Sequence, residues 1–285
     1  MNSVATTTSL RSTDFDFVSS LIRSQSAIVL NRDKEYLVES RLMPVARAHG
    51  FESVTHLICH LRAKPQKHIT DKVVDAMTVN ETSFYRDQSP FDALRLHLIP
   101  ELLKTKAADK TLSIWSNACS SGQEIYSIAM LLMENFPQLK NWKLRLLATD
   151  LSDQMLARAR RGCFNSTEVS RGLPKELLTK YFKQQGDVWQ ISDTLRGMVE
   201  FRKVNLIEPW LPSLQKMDIV FLRNVLIYFD TETKAQVLSK VRGSLSDNGY
   251  LFLGNAETIL NLKAPFRREI IANSTVYRAA PIVKE

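Results

Sequence analysis

The chain has 285 residues, 44% apolar and 24% charged, a balance that fits one large or two unequal folded domains and excludes a disordered protein. Three scattered cysteines, Cys59, Cys119 and Cys163, give neither a disulfide framework nor zinc-ligand spacing, and no apolar run is long enough to span a bilayer. The net charge of +8 is spread along the chain without a block of five like charges, which ranks an acidic protein partner above nucleic acid.

Residues 1–13 are rich in Ser and Thr and read as a flexible leader without the features of a secretory signal, so a cytoplasmic location is expected. From 14 to 80 apolar residues return every three or four positions, which predicts a helical N-terminal domain. Phe17, Leu21 and Ile28 form one series, Tyr36, Val38, Leu42 and Val45 a second, and Val54, Leu57, Ile58 and Leu61 a third, with Gly50 and Pro65 as breaks. Residues 81–98 read as a linker, and the second domain then runs from 99 to 285.

In that second domain, apolar runs at 111–118, 144–149, 217–222 and 250–253 predict strands. Between them, helical patterns cover 123–134, the stretch through Met155 and Ala159, and 231–245, with a turn at Asp247-Asn248-Gly249. Strands alternating with helices predict an α/β, Rossmann-like fold with a largely parallel sheet. Between 162 and 204 the rhythm breaks into short runs at 181–182, 188–191 and 198–201, read as a small antiparallel β-subdomain.

Ligands of such sheets bind beyond the carboxyl ends of the strands. The first strand ends in Ser116-Asn-Ala-Cys-Ser-Ser-Gly-Gln-Glu124, a loop of small residues that lets backbone approach a ligand. One glycine does not make the dinucleotide pattern, so a ligand without phosphates is favoured over a pyrophosphate; an ordinary βα turn is the plainer reading. Asp150 closes the second strand, where a carboxylate accepts hydrogen bonds from ribose hydroxyls or, alternatively, caps the next helix. The loop and the acid together point to a nucleoside ligand, with S-adenosylmethionine the natural candidate. Two polar clusters remain: Asn80-Glu-Thr-Ser-Phe-Tyr-Arg86 at the domain junction and Arg223-Asn-Val-Leu-Ile-Tyr228 after an apolar strand, either of which also reads as a plain loop. The five histidines precede residue 98 without ligand spacing, so no metal is expected, and no Ser-His-Asp order supports hydrolysis.

Residues 14–279 resemble the CheR family of chemoreceptor methyltransferases. The resemblance is carried by Asn80-x-Thr82-x-x-x-Arg86, Trp115-Ser-x-Ala-Cys-Ser-Ser-Gly-x-Glu124, Ala148-Thr-Asp150, Asn205-Leu206 and Arg223-Asn-Val-Leu-Ile-Tyr-Phe229 in family order. It implies an all-α domain, then a Rossmann-like methyltransferase domain with an inserted three-stranded β-subdomain. It implies methyl transfer from S-adenosylmethionine to glutamate side chains of methyl-accepting chemotaxis proteins, giving glutamate 5-O-methyl esters and S-adenosylhomocysteine. By the same resemblance Asn80, Thr82, Arg86, Glu124, Asp150, Asn205, Leu206, Arg223 and Asn224 surround the cofactor, and Arg86 and Tyr228 stand nearest the transferred methyl. The expected partners are the cytoplasmic methylation helices of the receptors, met by a monomer without membrane insertion, through a basic face including Arg41, Arg47, Arg23, Arg32 and Lys34. Two departures from the family pattern are Gln123 in place of a first Glu, and a segment from Tyr181 to Phe201 shorter than in members that dock on a receptor tether peptide, which counts against tether docking here. A non-catalytic S-adenosylmethionine-binding signalling module, or a methyltransferase of another substrate, are the alternatives.

Overall fold

In the computed structural model, which describes residues 10–214, 216–262 and 264–280, the early apolar periodicity resolves into four helices. These are α1 (Ser12–Ser26), α2 (Glu35–Ala48), α3 (Val54–Ala63) and α4 (Lys67–Met77). Of the leader expected over 1–13, residues 1–9 lie outside the described residues, and α1 already begins at Ser12. The helices belong to a unit that extends to Val79 and includes Tyr228–Asp230. Gly50 turns the chain after α2 at φ 79°, and Ser53 caps α3 by accepting the His56 N–H at 3.1 Å.

The third apolar series is buried throughout, whereas the first is displaced: Phe15, Val18 and Ile22 point inward and Phe17 and Leu21 are half-buried. Tyr36 of the second series is 69% exposed. The displacement has a physical cause in Asp14, which is fully buried in the same stripe and is neutralised by Arg11 at 3.0 Å and Arg62 at 2.8 Å. A pattern that scores only apolar residues cannot see it.

The second unit comprises Asn80–Ile227 and the chain from Thr231 onward. It opens with α5 (Gln88–Ala93), a π-helical turn at Leu94–Leu98 and α6 (Ile99–Thr105), so helix covers more than half of the segment read as a linker. The main sheet has seven strands: β1 (Thr111–Asn117), β2 (Lys143–Asp150), β6 (Val199–Lys203), β7 (Met217–Leu222), β8 (Leu245–Leu253), β9 (Phe266–Ile271) and β10 (Ser274–Ala279). Their order is β6-β2-β1-β7-β8-β10-β9, with the first five parallel and the last two an antiparallel hairpin. Covered on both faces, β7 is buried at every position, as its unbroken apolar run requires. The flanking helices are α7 (Gln123–Asn135), α8 (Asp153–Arg161) and α12 (Thr231–Ser244). The turn expected at 247–249 is instead part of β8, with Asn248 left-handed at φ 62° and the register with β7 shifted between Met217 and Ile219.

The small sheet is formed by β3 (Cys163–Asn165), β4 (Phe182–Gln185) and β5 (Val188–Ile191), all antiparallel, with α9 (Ser166–Ser170), α10 (Lys175–Tyr181) and α11 (Asp193–Gly197) around it. Its third strand is Cys163–Asn165 and not the run at 198–201. That run lies in β6, parallel to β2 from Leu146↔Val199 to Asp150↔Lys203. The edge of β2 would otherwise expose unpaired backbone groups, and β6 satisfies them.

Candidate functional site

From β1 the strand order departs in opposite directions, to β2 and β6 on one side and to β7 and β8 on the other, so the crevice lies beyond the carboxyl ends of β1 and β7. The backbone there is held in costly conformations. Tyr85, Asp87, Ala118, Ser120 and Asn224 all take positive φ between 46° and 59°, on the order of 1 kcal/mol each, and strain of this kind gathers where geometry is imposed by function. Gly122 starts α7 at φ 93°, and a Cβ at that position would stand 3.0 Å from the Ala159 side chain on α8.

Arg223 is the hub. Its side chain is 2% exposed, and Nη1 donates to Glu124 Oε2 at 2.9 Å, while Nη2 donates to Asp87 Oδ2 at 2.6 Å and to the Arg86 carbonyl at 2.9 Å. A buried guanidinium needs such compensation, and here it ties the end of β7 to the start of α7 and to the segment after Asn80. Glu124 accepts a further bond from Ser116 Oγ at 2.8 Å. The Arg86 guanidinium donates to the Glu81 carbonyl at 3.1 Å.

A second chain of contacts runs through Asp150, 8% exposed at the end of β2. Its Oδ2 accepts the Ser120 N–H at 2.7 Å, its Oδ1 the Ser152 N–H at 2.9 Å, and Ser120 Oγ donates to the Asn80 carbonyl at 2.8 Å. The helix-capping alternative falls to Ser152, whose side chain accepts the Met155 N–H. Asp150 therefore shapes the small-residue loop from the end of β2, where ligands of such sheets bind. The Asp150 carbonyl accepts the Val204 N–H at 3.0 Å, which sets the start of Asn205-Leu206. Asn205 donates to Glu208 at 3.2 Å, and Lys240 donates to the Leu206 carbonyl. Burial pushes the Lys240 ammonium below its ordinary pKa, so the bonds to this loop take the place of lost water.

Arg86, Glu124 and Arg223 are thus joined by one set of hydrogen bonds and Asn80 and Asp150 by another at the carboxyl ends of the central strands, with Asn205 and Leu206 close after Asp150's strand partner and Asn224 next to Arg223. Thr82 is half-buried in the segment between Asn80 and Arg86. Tyr228 groups with the helical unit, where its carbonyl accepts the Val29 N–H at 3.0 Å.

Two residues of the site escaped the reading of the sequence. Asp87 follows Arg86 directly, and its signal was an acid just beyond the polar cluster that ends at Arg86. Glu257 lies after β8 in Gly254-Asn-Ala-Glu257. Its Oε2 accepts the N–H groups of Asn224 and Gly254 at 2.7 Å each, and its Oε1 those of Val225 at 2.9 Å and Ile227 at 3.3 Å. One carboxylate holds the whole turn after Arg223. An acid just beyond an apolar strand, the signal used for Asp150, marks it too.

Asp87 and Glu124 set two carboxylates against the one guanidinium of Arg223, and Asp150 adds a third, buried carboxylate at the end of β2, acids of the kind that suit a ligand with cationic and hydroxyl groups. Arg223 Nε and Asn117 Nδ2 are buried donors without a partner among the described residues, available to acceptor groups of a bound molecule. No lysine in the loop clamps a phosphate. This donor set fits S-adenosylmethionine, which carries a sulfonium, an ammonium and a ribose. Cys119 is no nucleophile, because burial first, then Asp150 and Glu124, push its thiol well above the ordinary value. Among the described residues no helix is long and apolar enough to cross a membrane.

Residues 80–274 match the family described as CheR methyltransferase, SAM binding domain, and residues 13–78 match the CheR methyltransferase all-alpha domain. Chemotaxis protein methyltransferase 1 of Pseudomonas aeruginosa is 40% identical over 271 residues, 93% of this chain and 97% of that protein. Chemotaxis protein methyltransferase Cher2 of Pseudomonas putida is 38% identical over 93% of this chain and 98% of its own length. The chemotaxis protein methyltransferase of Vibrio parahaemolyticus is 38% identical over 87% of this chain and 90% of its own length.

Proposed function

The chain belongs to the CheR methyltransferase family, and on that premise we propose that it esterifies glutamate side chains on the cytoplasmic methylation helices of chemoreceptors. It uses S-adenosylmethionine, works in the cytoplasm as a monomer, and contributes to chemotaxis adaptation or related chemosensory signalling. Docking on a receptor tether peptide is not part of the proposal.

Bound S-adenosylmethionine supplies a methyl group on a sulfonium, an electrophile that needs no activation. A glutamate with its usual pKa of about 4.3 is ionised at neutral pH, so the chain need supply no general base. What remains is positioning in a site shielded from water. Asp150 accepts from the ribose hydroxyls, and Glu124, Asn205, Leu206 and Asn224 line the remainder with Asn80 and Thr82. Arg86 holds the acceptor carboxylate by a charge-assisted hydrogen bond, and the Tyr228 phenol orients it. Neither moves a proton.

The single observation that supports this reading most is the Arg223 hub, which draws together three of the segments that carry the family motifs. The test is transfer of labelled methyl to receptor cytoplasmic fragments. Label that is lost in base marks an ester; base-stable label would mean another substrate, and no transfer at all would mean a binding module. Arg86→Lys keeps the charge but loses the planar fork, and should lower turnover by at least about tenfold with cofactor affinity retained.

A further inference from the structure

Beside the Asn224 turn, at the carboxyl ends of β8 and the start of β10, lies a cavity of about 380 Å³ that the family motifs do not reach. Its wall is shared with the site. Glu257 lines it, and a Cβ at Gly254 would come within 2.6 Å of Asn224 Nδ2. Ser89, three residues after Arg86, lines the same cavity.

The chemistry of the lining is one-sided. Glu257 is its one acid, and both carboxylate oxygens are taken up by four backbone N–H groups. Among the described residues Arg268 is its one cation, an exposed residue whose Nη2 donates to Thr275 Oγ1 at 3.5 Å and which has no carboxylate within 4.0 Å. Asn255, Asn273, Ser89 and Thr258 add amide and hydroxyl donors. Apolar side chains stand exposed near this rim: Leu260, 68% exposed, lines the cavity, and Ile227, 49% exposed, is held by Glu257. A cavity offering donors and one guanidinium that no carboxylate neutralises among the described residues, with apolar groups alongside, is complementary to the carboxylate of a peptide, not to a cation or a phosphate-free nucleoside.

We propose that this cavity takes a second carboxylate of the acceptor segment, so that Arg268 selects glutamates that have another acidic residue one helical turn, or its equivalent, away. Side chains three or four positions apart on a helix are about 5–6 Å apart, so a helical acceptor presents two carboxylates side by side, and Glu257, which holds the Asn224 turn, also lines the cavity. The proposal rests on the reading of the chain as a protein-glutamate methyltransferase. It adds a specificity-determining residue outside the motifs that hold the cofactor.

The test compares wild type, Arg268→Gln and Arg268→Glu on a receptor cytoplasmic fragment, in one form with the acidic residues near the methylated glutamate kept and in another with them changed to their amides. Arg268→Gln should raise KM for the acidic fragment roughly two- to fivefold, as expected for an exposed charged pair, and Arg268→Glu should raise it further. Both variants should keep the wild-type kcat and cofactor affinity. On the amide form the three enzymes should behave alike. Wild-type KM in Arg268→Glu, or an equal rise on both fragments, overturns the selection of a second carboxylate. If wild type itself forms no base-labile ester on either fragment, the functional reading falls instead.

Discussion

Asp150 illustrates how one side chain serves two ends. It accepts N–H groups from Ser120 and Ser152, and it stands at the strand end where ribose hydroxyls are expected. Asp150→Asn keeps one acceptor oxygen and should weaken cofactor binding by about 1–2 kcal/mol in calorimetry, while Asp150→Ala also strands two buried donors and should lower the melting temperature. Unchanged affinity in the Asn variant would reduce the residue to a loop tie. Glu257 acts at one remove from the chemistry. In Glu257→Gln the amide nitrogen would face N–H groups that need an acceptor, so the turn carrying Asn224 should shift. Turnover should then drop roughly 10–100-fold, the cost of a misplaced reacting geometry, with cofactor affinity within about threefold of wild type. Full turnover would show that the turn holds itself. The motif residues of the site were legible because chemistry needs particular side chains at strand ends. Glu257 was marked only by its place beyond an apolar strand, because all the partners of its carboxylate are backbone groups, and those leave no mark on side-chain pattern.

At the scale of elements, the β-subdomain has a structural task toward the segment from Asn80 to Arg86. Arg171 donates to Glu81 at 2.8 Å, a bond that holds the Glu81 carboxyl below its usual range. Gly172, at φ 86°, approaches so closely that an added Cβ would lie 2.1 Å from the Phe84 carbonyl oxygen. Gly172→Ala combines left-handed strain with a clash against backbone, and should cost about 2–4 kcal/mol in denaturant unfolding. Cofactor affinity should fall with it, because Phe84 and Arg86 share one short segment; stability lost without any loss of affinity would separate the subdomain from the site. Helices and parallel strands were readable where period and burial agree, as in β7 and α3. The small sheet was readable only in part. A run such as 198–201 fits either sheet locally, and the open edge of β2, a tertiary fact, decides between them. The same holds for α1, where the buried Asp14 shifts the true face away from the apolar series.

For the molecule as a whole, the charge of +8 divides unevenly: residues 1–90 carry 11 basic and 10 acidic residues, and the rest carries 27 basic and 20 acidic. The basic face expected on the helical unit is also partly committed. Arg23 donates to Asp230 at 2.9 Å, Arg32 pairs with Asp16 at 2.7 Å, and Arg41 donates to the Met77 and Thr78 carbonyls at 3.2 Å each. Arg41 thus sits where a cation favours the carbonyl end of α4, in bonds that fix its side chain. Arg47 and Lys34 remain exposed. Two contributions to receptor capture can therefore be told apart. Arg41→Ala should lower stability by about 1 kcal/mol, read as a lower denaturant midpoint, and should leave KM for receptor fragments nearly unchanged. Arg47→Glu should leave the midpoint alone and raise KM only at low salt, since exposed charges are screened over about 8 Å at physiological ionic strength. Raising salt from about 0.05 M to about 0.3 M should raise KM for the receptor in wild type without weakening cofactor binding, because the surplus charge acts on the acidic acceptor through solvent while the Arg223 hub is buried. Were Arg41→Ala to raise KM at an unchanged midpoint, its bonds to α4 would be incidental and the helical unit would regain its place as the basic docking face. Were KM insensitive to salt, the surplus charge would have no part in capture, and short-range contacts alone would have to select the receptor.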